Sequence, residues 1–389
     1  MPLVNVEDYR AAARRRLPRF VFDYLDGGAE DEIALRRNRA AFEDPILTPR
    51  VLNPVAQRDQ SVGWLGKRLP TPIVIAPTGL NGLFWHEGDL KLARAARRLG
   101  IPFTLSTASN ASIEQVAATG AEFWFQLYVM HRALADELVD RAFAAGASQL
   151  VLTVDVPVGG KRERDLRNRF VMPFRLRPDT LLDIACHPRW LWSVGRHGAP
   201  AMGNLGGAAS KDPNVQAALL SRNMDASFSW DDLARLRDRW PRPLLVKGIL
   251  HPADIRRAAE IGVDGIVLSN HGGRQLDAAP APLSQLEEAV SPGLPILLDS
   301  GIRRGTDIVK ARLAGADAVM IGRAALYGLA VGGEDGVVEV VKLLQSEIDR
   351  TQALMGLPNL NVRSAVCVGE HKSLTLSAGI SSQYQWVWP

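Results

Sequence analysis

The chain of 389 residues is short of several things, and each shortage closes off a class of protein. It has two cysteines, Cys186 and Cys367, with no CxxC pair and no Cys/His ligand spacing, so neither a disulfide framework nor a metal site is expected. No run of about 18 apolar residues occurs, so no membrane-spanning helix is expected. The start, MPLVNVEDYR, places acids where a secretory signal would carry its apolar stretch. An excess of one charge is also missing. The 46 Lys and Arg against 42 Asp and Glu leave a net +4, and the short basic clusters lack interleaved aromatics. Nucleic-acid binding needs a continuous basic face, so no nucleic-acid partner is expected. With 47% hydrophobic residues the chain can fill a large core, which excludes disorder.

What the sequence does have is alternation. Short β-branched runs alternate with helix-period segments, the pattern of βαβ units. The runs cover 73–77, 103–107, 123–129, 150–155, 244–248, 265–270, 296–301 and 318–323. Eight parallel strands are the number that closes into a filled barrel, so the expected fold is an α/β (β/α)8 TIM barrel. Segments 88–99, 133–145, 253–261 and 306–314 read as amphipathic helices, each ending at or near a glycine. One domain is expected over 1–389, with a barrel core over about 73–357. Residues 1–72 read as a helical extension closing the barrel bottom and side. Residues 156–243 are far too long for an ordinary βα connection and read as an insert after the fourth strand. Within it, 230–240 reads as a helix. The residues after about 369 read as a loose tail.

In such barrels the groups at the C-terminal strand ends line the active site. Here these are Pro77-Thr78-Gly79, Ser106-Thr107, Gln126 and Tyr128, Thr153 and Asp155, Lys247, Ser269-Asn270-His271, Asp299-Ser300-Gly301, and Gly322-Arg323. Each alone has an ordinary structural explanation; their convergence on one mouth points to function. Gly301, Arg303, Gly322 and Arg323 lead into helices after the last two strands, the usual place for a phosphate. The remaining polar set suits a planar heterocycle, so a phosphate-bearing cofactor is expected. Arg162 and Arg274, with tyrosine hydroxyls, suit a carboxylate. His271 is placed to take a proton, and Asp155 to orient it. A reading from another class also uses the strand ends: a Schiff-base lyase with Lys247 as nucleophile.

The segments SNHGGRQLD (269–277), DSGIRRGTDIVKA (299–311), FQLYV (125–129), TVDVP (153–157), LVKGI (245–249) and FDYLDGGAEDE (22–32) resemble the FMN-dependent 2-hydroxy-acid oxidase and dehydrogenase family. The likeness runs from about residue 5 to about 357. PTGLNG (77–82), LSTASN (105–110), RERDLRNRF (162–170) and CHPRWLW (186–192) are most similar to its bacterial (S)-mandelate-oxidising branch.

The resemblance implies FMN as cofactor and oxidation of an (S)-2-hydroxy acid, (S)-mandelate or a related aryl acid, with electrons passed to a quinone-type acceptor. L-lactate dehydrogenase, or an oxidase using oxygen, is the alternative within the family. By resemblance His271 is the catalytic base paired with Asp155, and Tyr24, Tyr128, Arg162 and Arg274 bind substrate. Pro77, Thr78, Gly79, Ser106, Gln126, Thr153, Lys247 and Ser269 contact the flavin, and Asp299, Gly301, Arg303, Gly322 and Arg323 its ribityl phosphate. Ala108 stands where glycolate oxidases carry a bulky Trp, leaving room for an aryl group. The resemblance also implies a homotetramer. It further implies a peripheral membrane contact through about 177–215, centred on LLDIACHPRWLWSVG (181–195), on the cytoplasmic side of the inner membrane; without that contact the protein is expected to be cytoplasmic.

Overall fold

Each of the eight apolar runs becomes a strand, and the eight close into one parallel barrel. They are β1 (Ile73–Ile75), β2 (Phe103–Ser106), β3 (Phe123–Leu127), β4 (Leu150–Thr153), β5 (Leu244–Ile249), β6 (Gly265–Leu268), β7 (Ile296–Leu298) and β8 (Ala318–Ile321). Closure runs through Val319, Met320 and Ile321 of β8 against Ile73, Val74 and Ile75 of β1. The structure, a computed structural model, describes residues 2–170, 178–198, 200–205, 224–290, 293–361 and 373–374. The expected (β/α)8 barrel is therefore the fold. Most strands stop earlier than the apolar runs suggest, and β1 and β2 share the single pair Ile75–Phe103. Pro77, Thr107, Tyr128, Asp155, Asn270, Gly301 and Arg323 thus lie beyond the strand ends, at the mouth.

The helices before and around the barrel are α1 (Val6–Arg16), α2 (Arg19–Asp26), α3 (Ile33–Ala40), α4 (Gly88–Leu99), α5 (Ile113–Ala117) and α6 (Arg132–Ala144). The insert after β4 contributes α7 (Glu163–Arg167), α8 (Pro178–Ala185), α9 (Pro188–His197) and α10 (Trp230–Arg239). Then follow α11 (Pro252–Ile261), α12 (Leu286–Ala289), α13 (Gly305–Leu313) and α14 (Arg323–Met355). Local signals set their limits. Ser112 and Gln115 form a reciprocal capping box on α5, Pro252 opens α11, and Gly100 and Gly262 end their helices in the left-handed conformation. In α14 Gly333 breaks the helical path at φ 61°, where an added Cβ would lie 2.8 Å from the Trp85 ring.

The N-terminal region carries the expected helices α1, α2 and α3 but closes the barrel bottom differently. The barrel bottom is closed by a hairpin, Val62–Trp64 with Lys67–Leu69, and not by helices. Its two-residue turn, Leu65-Gly66, has φ of 45° and 79°, both positive as a type I′ turn requires. Trp64 is buried, stacks on Trp124 with 6.0 Å between centroids, and donates its indole N–H to Gln149 at 3.2 Å. The bend after α2 lies at the opposite end, where the Ala29 N–H donates to the Gly273 carbonyl at 2.8 Å. Among the described residues no helix is long and apolar enough to cross a membrane. Of the tail after 361 only Ser373–Leu374 is described, pairing with Ile46–Leu47; the rest of that expectation lies outside the described residues.

Candidate functional site

One cavity of about 240 Å³ opens at the C-terminal ends of the strands. It is lined by Pro77, Thr78 and Gly79 after β1, Ser106 of β2, Tyr128 after β3, Thr153 of β4 and Lys247 of β5. His271, Arg274, Asp299, Gly301, Arg303, Gly322 and Arg323 from the later strands and loops complete the ring, with Tyr24 from α2 and Arg162 from the insert. Three expected residues stand one step behind. Gln126 accepts a hydrogen bond from Ser106 Oγ at 2.9 Å, Ser269 Oγ accepts one from Lys247 Nζ at 2.7 Å, and Asp155 meets His271.

The His271–Asp155 pair is held from several sides. His271 Nδ1 lies 3.0 Å from Asp155 Oδ1, while Nε2 lies 3.2 Å from the Tyr128 hydroxyl. The His271 backbone takes φ 59°, unusual for a residue with a Cβ, and its N–H donates to Ser269 Oγ at 3.0 Å. Opposite, Gly248 has φ 100°, and a Cβ there would lie 2.6 Å from Asp155 Cβ, so only glycine admits the carboxylate. Burial pushes the His271 imidazole below its ordinary value, against the pull of the Asp155 charge. Burial opposes ionisation of Asp155, but the imidazole partner and the Lys247 charge outweigh it and hold the carboxyl below the usual range. Tyr128 is pushed upward by burial and by the Asp155 charge, so its hydroxyl stays protonated.

Two groups of cations flank this pair. Arg274 donates to the Gly27 carbonyl at 2.7 Å and lies over the Tyr24 ring, 5.2 Å from its centroid. Arg162 stands at the N-cap position of α7, a helix tied back to the N-terminal region by Arg164, which reaches Glu32 before α3 at 2.5 Å and Asp26 of α2 at 3.2 Å. Lys247 forms an ion pair with Asp299 at 2.8 Å besides its bond to Ser269. At the phosphate end Gly301 has φ 91° and Gly322 precedes the first residue of α14. Arg323 spends its guanidinium on the carbonyls of Leu25, Gly272 and Gly27. Burial, then the neighbouring Arg274 charge, lowers it to about 10. Its guanidinium therefore braces the mouth while also lining the cavity with Arg303, and the N–H groups at the start of α14 add to what this end offers an anion.

Sequence reasoning missed the apolar wall. Leu80, Phe84, Met130, Phe170, Met202 and Met224 line the cavity beside Ala108. They come from five separate segments with no shared spacing, so no pattern in the chain marks them. Tyr24 stacks on Phe170 with 4.5 Å between centroids, joining α2 to the insert. The buried polar atoms that lack a partner among the described residues include four at or just behind this mouth: Thr78 Oγ1, Gln126 Nε2, Thr153 Oγ1 and Asp155 Oδ2. Leaving such a group unpaired costs about 1–3 kcal/mol, so their gathering at one mouth calls for a polar ligand.

The sequence matches the FMN-dependent dehydrogenase family over residues 13–368. The chain belongs to that family. It is 52% identical over 360 residues to the (S)-mandelate dehydrogenase of Pseudomonas putida, with 92% of each chain covered. It is 43% identical over 361 residues to an L-lactate dehydrogenase of Pectobacterium atrosepticum, covering 91% of this chain and 93% of that one. The crystal structure of the monotopic membrane protein (S)-mandelate dehydrogenase superposes with a TM-score of 0.90 at 51% identity, covering 93% of this chain and 97% of that one. A mandelate oxidase structure superposes at 0.78 with 36% identity, covering 92% and 96%. The protein is thus an FMN-dependent oxidoreductase, and the residues at the mouth fit the cofactor: the unpaired Thr78 and Thr153 hydroxyls belong to residues that line the cavity, and at Gly322 a Cβ would meet nothing closer than 3.9 Å, which leaves open space at the start of α14.

Proposed function

We propose that the protein oxidises the hydroxyl-bearing carbon of an (S)-2-hydroxy acid to the 2-oxo acid, with (S)-mandelate or a related aryl acid as substrate. The observation that carries this is the His271–Asp155 pair, with Nε2 turned to Tyr128 and flanked in the cavity by Arg162 and Arg274. Arg162 and Arg274 hold the substrate carboxylate, and the Tyr24 and Tyr128 hydroxyls orient it. His271 Nε2 takes the proton. Its depressed pKa keeps it neutral near pH 7, and the Asp155 charge stabilises the imidazolium that forms. Ala108 and the wall of Leu80, Phe84, Met202 and Met224 provide the space and apolar surface for an aryl side chain.

FMN, when bound, supplies the two-electron acceptor. Pro77, Thr78, Gly79, Ser106, Gln126, Thr153 and Ser269 would hold its ring, and Lys247 would place a positive charge beside it. Asp299, Gly301, Arg303, Gly322 and Arg323 would hold the ribityl phosphate. Lys247 paired with Asp299 suits this electrostatic role better than that of a Schiff-base nucleophile.

We assign the final acceptor to the quinone class, with the enzyme working as a homotetramer at the cytoplasmic face of the inner membrane. The peripheral contact falls to α8 and α9, which expose Leu181, Leu182, Leu191 and Trp192 among arginines. These helices lie within the 177–215 read from sequence. Residues 200–205 belong to the mouth, where Met202 lines the cavity and Asn204 bonds Ser106 and Ser109, and 206–215 lie outside the described residues. The test is anaerobic bleaching of the bound flavin by (S)-mandelate and by (S)-lactate. Faster bleaching by (S)-mandelate is expected; no bleaching by either acid would sink the reading.

A further inference from the structure

Asp89, at the second position of α4, is 1% exposed and has no part in the chemistry proposed above. Its Oδ1 accepts a hydrogen bond from Asn81 Nδ2 at 2.7 Å. Its Oδ2 accepts from the backbone N–H groups of Asn110 at 2.8 Å and Ala111 at 3.2 Å. Asn81 passes the connection on, because the same Nδ2 donates to the Thr78 carbonyl at 3.1 Å. Two further bonds join the loops directly: Leu80 N–H to the Ala108 carbonyl at 3.1 Å and Gly82 N–H to Asn110 Oδ1 at 2.8 Å. The contact is close. A Cβ at Gly88 would lie 2.3 Å from the Asn81 carbonyl oxygen, so glycine there lets α4 start against Asn81.

We propose that Asp89 is a positioning residue for the cofactor: through Asn81 it fixes the Pro77–Gly79 segment of the cavity wall, and through Asn110 and Ala111 it fixes the neighbouring segment that carries Ala108. This rests on the reading of Thr78 and Gly79 as flavin contacts; the buried, unpaired Thr78 Oγ1 beside the cavity supports that reading independently.

The geometry requires an acceptor at both ends of the side chain. An amide at position 89 keeps one oxygen for the two backbone N–H groups but turns its NH2 toward Asn81 Nδ2, donor against donor. Asn81 must then rotate to present Oδ1, which has no partner among the described residues, and its bond to the Thr78 carbonyl is lost. Burial pushes the Asp89 carboxyl up to about 6. An ionised carboxylate here is therefore held at some expense of stability, in keeping with a group retained for what it positions.

The experiment titrates the deflavinated full-length chain with FMN, following fluorescence quenching and the visible absorption band. Asp89→Asn and Asn81→Ala should each weaken FMN binding about tenfold, near the upper worth of one neutral hydrogen bond, and both should shift the band. The double variant should be no weaker than the weaker single one, since both changes free the same Thr78 carbonyl. Thermal unfolding of the cofactor-free variants reads any general loss of stability separately. Wild-type affinity and spectrum in either single variant, or additive losses in the double, would overturn the proposal. If Asp89→Asn does not fold, Asn81→Ala decides alone by the same two readings. Failure of the hydroxy-acid reading is distinguishable, because it leaves FMN affinity untouched and removes only bleaching by the acids.

Discussion

At the floor of the barrel Trp64 stacks on Trp124 and donates its indole N–H to Gln149, while at the mouth Thr78, Gln126, Thr153 and Asp155 each keep a buried polar atom without a partner among the described residues. The backbone differs in the same sense. Apart from glycines, the floor has a positive φ at Leu65 in the hairpin tip, whereas the mouth places Leu80, His271 and Ser300 in that region beside the cavity. The same eight strands run through both ends. The floor leaves the buried Trp124 indole N–H without a partner among the described residues, but the mouth gathers four such atoms at one end and tolerates local strain to aim the groups that meet a ligand. Stability and chemistry should therefore separate by which end is altered.

Trp64→Ala gives the largest effect and tests the floor. Loss of a buried Trp should lower stability by ~3–5 kcal/mol in chemical denaturation, while the folded fraction reduces its flavin at the wild-type rate. A slowed rate per bound flavin would mean that the two ends are coupled. His271→Asn tests the mouth. Anaerobic single-turnover bleaching should slow by at least ~100-fold, a typical general-base contribution, with FMN retained and thermal stability little changed. A variant bleaching at the wild-type rate would remove the base from the mechanism.

Asp155→Asn should fall between, at roughly tenfold slower, and it carries a pH signature. In the wild type the imidazole is held below its ordinary 6.5, so the acid limb of kcat/KM lies below that pH, where protonation removes the base. Without the Asp155 charge that opposes the depression, the limb should move to still lower pH; movement the other way would contradict the assigned pairing. The same depression has a stability consequence. Below pH 6.5 the unfolded chain binds the proton more readily than the folded one, so the contribution of His271 to stability falls as pH drops through that value. The smallest effect on chemistry is expected from Leu182→Ser with Trp192→Ser on the exposed face of α8 and α9. Sedimentation with anionic vesicles should fall while the rate of flavin bleaching stays that of the wild type. Undiminished sedimentation would place the membrane contact elsewhere.

Much of the barrel was legible because its signals are local. β-branched runs such as IVI (73–75) and AVMI (318–321) can be buried on both faces, and glycines at 100 and 262 stop helices by the one conformation they favour. The strand-end polar residues could be placed for the same reason, since a barrel puts every C-terminal strand end at one mouth. The floor hairpin was missed: the three-residue strands around Leu65-Gly66 are too short to show an alternation, and Leu is not a residue that announces a positive φ. That the Arg323 guanidinium also bonds the carbonyls of Leu25, Gly27 and Gly272 was not legible, because α2 and the HGGR loop come within its reach only in the folded chain.

The sequence by itself determined the period of the elements, their number, and the chemical types waiting at each strand end, since these depend on neighbours a few residues apart. Only the tertiary structure decided which of them meet. The contact of His271 with Asp155 spans 116 positions, and the carboxylate fits only because Gly248, on a third segment, has no side chain. The wall beside Ala108 and the knot that Asp89 ties between two loops likewise join segments far apart in the chain. Such contacts follow from barrel closure, which is a property of all eight strands together and is written in no single stretch of residues.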